Sequence, residues 1–349
     1  PTPFLFSLAR KFFDLLRLYV PLIIWVGFGI GLGRILPKAI PFYLGKFLFW
    51  AGVPISIVGF LRQADLSASV WLAPVMAWVG VMAGVSLGAL WLWSQRWIDR
   101  QLQKYVSMRS QGGDRPTLWY RILRRLHFQG LQQQTTQGSF LLASMVGNTG
   151  YLGYPVTLAL VGPQYFGWAV FYDTVGSMLG AYGLGIALAA RFGQQQAKNW
   201  RLVRLIFTNP GFAGFLFGLA FRSVPLPDLA EQTLRGAAWT MLALSLLLMG
   251  MRLSQINSWR YARQASICLS IKMLIVPLII GSCLVALGFG GAPLLVIILQ
   301  MAMPPAFATL VIAEAYDLDR ELTVTALAMG SFLLLFTLPI WVGLFANVR

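Results

Sequence analysis

Val146-Gly147-Asn148-Thr149-Gly150-Tyr151-Leu152-Gly153-Tyr154-Pro155 places three glycines, an asparagine, a threonine and a proline inside an otherwise apolar stretch. As plain helix this is unfavourable, because each Gly loses about 1 kcal/mol against Ala. An unwound segment is therefore predicted. A second such segment reads Gln300-Met301-Ala302-Met303-Pro304-Pro305-Ala306-Phe307, where Pro305 disfavours the α region for Pro304. If the two unwound segments meet, two helix N-termini present unpaired N–H groups and partial positive charge to one point. An anion binds there without a fully charged side chain. The expected binding residues are Asn148, Thr149, Gly150, Tyr151 and Pro155 from the first segment, and Gln300, Met303, Pro304 and Pro305 from the second. The competing reading is that small residues let helices pack closely.

Two ionisable residues fall within apolar runs, where an unpaired charge is expensive and a functional role is the default expectation. Asp173, in Phe171-Tyr172-Asp173-Thr174, and Lys272 are the candidates for proton or cation coupling, or for pairing with one another. The plainer alternative has Asp173 capping a helix turn near the interface and Lys272 reaching water along its four-carbon stem. Glu314 and Asp317 read as a solvated helix end. His127 is the single histidine, and no Cys or carboxylate has metal-ligand spacing around it, so neither metal nor cofactor is expected. Cys268 and Cys283 lie fifteen residues apart in one apolar run, about 20 Å or more along a helix, too far for a disulfide. Gly27, Gly29, Gly31 and Gly33 lack the preceding strand and following Gly-Lys-Ser of a nucleotide loop, so close helix packing is expected of them.

The elements that must position these residues follow from composition. The 349 residues are 58% hydrophobic and 11% charged, with a mean hydropathy of +0.70. Soluble domains carry roughly 25% charged residues, so a water-soluble fold is excluded. The net charge of +16 does not indicate nucleic acid, because Lys and Arg lie between apolar runs and not in one stripe with interleaved aromatics. A bilayer-spanning helix needs about 20 apolar residues. Ten spans are predicted, at about 18–36, 42–61, 70–93, 138–161, 165–190, 205–222, 234–251, 265–288, 292–314 and 323–346. The first follows Arg10, Lys11 and Arg17 without a small-residue cleavage site and is expected to be a retained span.

Two long polar stretches remain, 94–137 and 191–204, with glutamine runs at Gln132 to Gln134 and Gln194 to Gln196. Within the first, Leu118 to Leu126 mixes aromatic, apolar and basic residues, as either an interfacial amphipathic helix or a disordered loop would. The odd-numbered connections hold nineteen Lys and Arg, against seven in the termini and even-numbered ones. By the positive-inside rule this puts both termini outside the cytoplasm of the plasma (inner) membrane.

Five spans on either side of 191–204 make an inverted repeat available, because the second half enters from the opposite face. The predicted fold class is thus an all-α polytopic membrane protein, ten helices in a 5+5 inverted repeat with crossed, proline-broken spans four and nine. Residues 1–190 form the first repeat, with its basic loop 94–137, and 191–349 the second.

On these residues the chain resembles a known family. Gly147-Asn148-Thr149-Gly150, Gly153 and Pro155 look like the fourth-span motif of the auxin efflux carriers, which include the plant PIN proteins and bacterial permeases. Met303-Pro304-Pro305-Ala306 followed by Ala313-Glu314-Ala315-Tyr316 resembles the ninth-span motif. Thr208-Asn209-Pro210 with Gly218-Leu219, Pro54, and Lys272 with Pro277 are similar to further family features. The resemblance implies a crossover fold shared with bile-acid symporters and sodium/proton antiporters, in which a mobile core (spans 3–5 and 8–10) moves against a scaffold (spans 1, 2, 6 and 7). It further implies carboxylated organic anions as substrates and a homodimer paired through the scaffold. The 94–137 insertion is longer and more basic than the family pattern, and 191–204 is short, so loop regulation as in plant members does not carry over.

The expected function is secondary transport of a small carboxylated organic anion, auxin-like or dicarboxylate-like, by an elevator-type mechanism, with no enzymatic activity. Its rivals are a passive channel or receptor on the same fold, and an intramembrane aspartyl protease. The protease needs two carboxylates sharing a proton, and no second mid-span Asp accompanies Asp173.

Overall fold

The computed structural model describes residues 20, 23–37, 39–109, 118–127, 130–193, 208–254 and 260–348. The described chain is helical throughout, and six of its helices are long and apolar enough to cross a membrane. In order, the helices are α1 (Ile23–Ile35), α2 (Ala39–Leu61), α3 (Leu72–Arg109), α4 (Leu118–Leu126), α5 (Gln134–Met145), α6 (Thr149–Gly153 continued by Tyr154–Leu160) and α7 (Pro163–Phe192). They continue with α8 (Pro210–Phe221), α9 (Asp228–Leu253), α10 (Ala262–Ala286), α11 (Gly291–Met301), α12 (Phe307–Ala315) and α13 (Arg320–Phe345). Arg10, Lys11, Arg17, Lys38, Gln194 to Gln196 and Arg349 lie outside the described residues.

Both predicted breaks are present. Span four divides into α5 and α6 around Val146, Gly147 and Asn148, and span nine into α11 and α12 around Ala302 to Ala306. The described helices begin and end within about six residues of the predicted ranges, with one exception. The third helix does not stop near residue 93 but runs to Arg109, 38 residues in all. At 1.5 Å per residue it is about 57 Å long, well beyond the ~30 Å of hydrocarbon. No Gly or Pro interrupts Ser94 to Arg109, so the helix continues past its apolar end. Leu118–Leu126 is a helix, as one of the two readings held. Tyr120 stacks on Tyr105 of α3 with ring centroids 4.6 Å apart, and His127 Nε2 lies 3.5 Å from Asp99.

Wide, π-type turns widen the helices at Thr149–Gly153, Tyr172–Ser177 and Ile271–Ile275, the segments that carry Thr149, Asp173 and Lys272. Such turns leave the regular ladder locally unfulfilled and recur at functional sites.

Glycine contacts sort the helices into two sets. A side-chain carbon on Gly29 would collide with the α9 backbone at Leu247 and Gly250, one on Gly59 with Ala238 of α9, and one on Gly214 of α8 with Pro54 of α2. These join α1, α2, α8 and α9. In the second set Gly84 of α3 abuts Ser144 of α5, Gly176 of α7 abuts Ala77 of α3, and Gly330 of α13 abuts Pro304 and Leu269.

Of the four glycines in α1, Gly29 and Gly33 touch α9, whereas Gly27 and Gly31 have nothing within 4 Å. Gly29→Ala is expected to lower the thermal unfolding midpoint of the purified protein by several degrees, an overpacking cost of about 1–3 kcal/mol. Gly27→Ala and Gly31→Ala should leave the midpoint unchanged or raise it, since Ala is the better helix former. Differential scanning fluorimetry in detergent checks the contrast.

Candidate functional site

The two breaks meet. Gly147 and Pro305 form an isolated antiparallel bridge, in which the Asn148 amide donates to Pro304 O at 2.7 Å and the Ala306 amide donates to Val146 O at 3.2 Å. Pro304 and Pro305 have no N–H, so Asn148 and Ala306 supply the donors and fix the register. Lys272 Nζ donates to Met301 O at 2.8 Å, satisfying a carbonyl at the open C-terminal end of α11. A side-chain carbon on Gly147 would stand 3.1 Å from Lys272 Cε, so the ammonium stem lies directly beneath the crossing. Lys272 is 3% exposed and does not reach water, and it is not paired with Asp173. A cation at helix C-termini is the favourable arrangement for the helix dipole.

On the other side of the crossing lies a cavity of about 380 Å³. Asn148, Thr149, Gly150 and Tyr151 line it, as does Asp173. The Asn148 side chain caps α6 by accepting from the Tyr151 amide at 3.3 Å. The amides of Thr149 and Gly150 start α6, and those of Phe307 and Ala308 start α12. Amides in a first turn have no intrahelical acceptor, and all four residues line this cavity. Asp173 is held by the hydroxyls of Thr149 and Tyr154, the latter at 2.7 Å from Oδ2. It thus sits against the broken helix, not at an interfacial turn.

The remaining expected residues lie behind the wall. Gln300 is fully buried and donates to Thr157 Oγ1 at 3.1 Å, passing Gly153, where any side chain would collide with it. Met303, Pro304 and Pro305 are buried in the bend, and Pro155 packs beside Tyr154. From the second segment the wall is instead Ala306, Phe307 and Ala308, because the prolines make the turn and these residues follow it.

Sequence reasoning missed Arg252. It was counted among the basic residues of a connection, yet it belongs to the last turn of α9 and lines both this cavity and a neighbouring one of about 680 Å³. Its guanidinium carbon lies 4.9 Å from the centroid of the Phe307 ring. The one available signal was the absence of an acidic residue three or four positions away along the helix. Asn209, the Asn-Pro entry of α8, also lines the first cavity and caps its own helix by accepting from Gly211 N at 2.8 Å.

Beyond Tyr154 the protein is closed by aromatic packing. Phe166 contacts Tyr154 and Phe60 with centroids at 5.1 and 5.4 Å, Phe60 meets Trp239 at 5.1 Å, and Phe171 meets Trp71 and Phe215 at 5.0 and 5.1 Å. These rings are not part of either cavity's wall.

Residues 128–342 match the profile of the family described as Membrane transport protein, a range that contains both broken segments. The chain is 33% identical over 221 residues to an uncharacterized transporter of Methanothermobacter thermautotrophicus, covering 61% of this chain and 69% of that protein. It is 26% identical over 217 residues to an uncharacterized transporter of Methanocaldococcus jannaschii, covering 60% and 69%. Apolar helices, paired breaks and these matches agree with the resemblance read from the motifs: the chain belongs to the Membrane transport protein family, that of the auxin efflux carriers, and is an integral membrane transporter.

Proposed function

We propose that this transporter is a secondary carrier that exports a small carboxylated organic anion, auxin-like or dicarboxylate-like, bound at the crossing of the two broken helices. The observation that carries this reading is the convergence of four first-turn amide residues, Thr149, Gly150, Phe307 and Ala308, on one cavity. Together the two N-termini are equivalent to about one positive charge, enough to hold a carboxylate with Asn148 beside it.

The glycine-joined set α1, α2, α8 and α9 is the scaffold, and α3 with α5–α7 and α10–α13 is the mobile core of an elevator. In this reading the chain is a ten-span, five-plus-five inverted repeat, with α5–α6 and α11–α12 as corresponding broken spans. Lys46, Arg252 and Arg320, which line the cavities, then stand at the cytoplasmic ends of their helices, and the aromatic packing around Phe166 closes the outer side. The arrangement is that of an inward-facing carrier. Export of an anion is favoured by a membrane potential negative inside, about 2.3 kcal/mol per charge at 100 mV.

Asn148→Ala removes the cap on Tyr151 and the amide beside the guest. It should abolish uptake of organic acid into proteoliposomes while costing only about 1 kcal/mol of stability. Unchanged uptake by a folded Asn148→Ala would remove the site.

Asp173 shares the cavity with the guest, so its charge state and guest binding are thermodynamically coupled. Uptake by the wild type should therefore vary with pH, and Asp173→Asn should flatten that profile while Thr149 and Tyr154 keep a partner. A mutant profile that tracks the wild type would remove Asp173 from coupling.

A further inference from the structure

We infer that Arg252 is the side chain that recognises the charge of the transported anion, a guanidinium fork on the scaffold that faces the amides of the core across the cavity. The inference rests on the anion-site reading above and adds to it a cation that nothing in the family match assigns.

Three arginines at helix ends engage carboxylates: Arg62 with Glu231 at 2.9 Å, Arg320 with Glu314 at 3.0 Å and Arg260 with Glu321 at 3.7 Å. Arg252 does not pair with a carboxylate among the described residues, although it belongs to a membrane-crossing helix and is half-buried. An ionisable residue so placed is a functional candidate by default. Room for it is built in, since a side-chain carbon at Gly45 would stand 2.7 Å from Nη2, closer than real contacts allow.

The guanidinium lies over the Phe307 ring, a weak contact that a carboxylate can replace. Asn148, Tyr151, Arg252 and Phe307 line both cavities, so these four form the partition between them. Lys46 lines only the first and Arg320 only the second, which leaves Arg252 as the cation common to both. Its planar fork matches a carboxylate with two parallel N–H bonds, which a lysine cannot do. An anion held between Arg252 and the first turns of α6 and α12 would tie α9 to both broken helices. The guest itself then links scaffold to core.

The test uses the purified full chain in detergent, with dissociation constants measured for phenylacetate, indole-3-acetate and malate, and for phenylacetamide as the uncharged analogue. The wild type should bind at least one acid and not the amide. Arg252→Gln should weaken binding of that acid by about tenfold to a hundredfold, the scale of one charge-assisted hydrogen bond, with the unliganded unfolding midpoint little changed. A wild-type dissociation constant in Arg252→Gln overturns the assignment, and leaves the anion site intact if Asn148→Ala still loses binding. If Arg252→Gln does not fold, Arg252→Lys keeps the charge and loses the fork. It should weaken binding severalfold, and a wild-type constant there overturns the assignment equally. A wild type that binds none of the three acids removes the anion-site reading and this assignment with it.

Discussion

The structure depends on one constraint: in hydrocarbon, every backbone polar group freed by a broken helix must find a partner inside the protein. Two breaks side by side meet this constraint together, where one alone would not. Val146 O and Pro304 O are each satisfied by an amide of the opposite segment, and Met301 O by Lys272. Ala306 O accepts from the Thr309 hydroxyl at 2.7 Å, and Asn148 O from the amides of Leu152 and Gly153. These carbonyls are thus satisfied within the crossing, while the first-turn amides of α6 and α12 have no intrahelical acceptor. A cavity bordered by two helix N-termini favours an anionic guest.

The side chains near the crossing follow from that asymmetry. Gly147, Gly150 and Gly153 are small because Lys272, Asp173 and Gln300, respectively, occupy the space where their side chains would be. Each of those polar groups is pinned in turn: Lys272 on Met301, Asp173 on Thr149 and Tyr154, Gln300 on Thr157. The glycine spacing therefore reports two things at once, an unwound backbone and three buried polar partners.

Much of this was legible in the sequence. Glycine and proline at membrane depth identify the breaks, because helix propensity and the missing proline N–H act locally. Pairing of the breaks was legible from the symmetry of the spans. What depends on chain crossing was not. Arg252 reads as a connection residue because hydropathy ends the helix there, and only the fold brings Phe307 and Gly45 to its guanidinium. Gln300 and the two prolines read as wall because sequence position cannot tell the residues that make a bend from those it presents. The length of α3 was hidden because hydropathy reports where lipid ends, and a helix of Gln, Arg and Lys continues in water without changing that signal. Gly29 and Gly33 could not be told from Gly27 and Gly31, which carry the same residue on the other face of α1.

Electrostatic balance connects the crossing to its function. Each helix end carries about half a charge, negative at the C-termini of α5 and α11 and positive at the N-termini of α6 and α12. Lys272 lies against both C-termini, donating to Met301 O and packing under Gly147, so a donor meets the negative ends. Asp173 accepts from Thr149 at the start of α6 and so stands at a positive helix end. The polar side chains of the broken core thus match in sense the helix ends they touch. Arg252 stands on the cavity wall on the other set of helices, over the face of the Phe307 ring and without a carboxylate partner among the described residues. A guest carboxylate would pair with it and also accept from the first-turn amides. An empty site paired throughout would have no reason to bind, and one with several fixed cations would have no means of release. An arginine held by a ring, over a partly polar wall, satisfies both requirements.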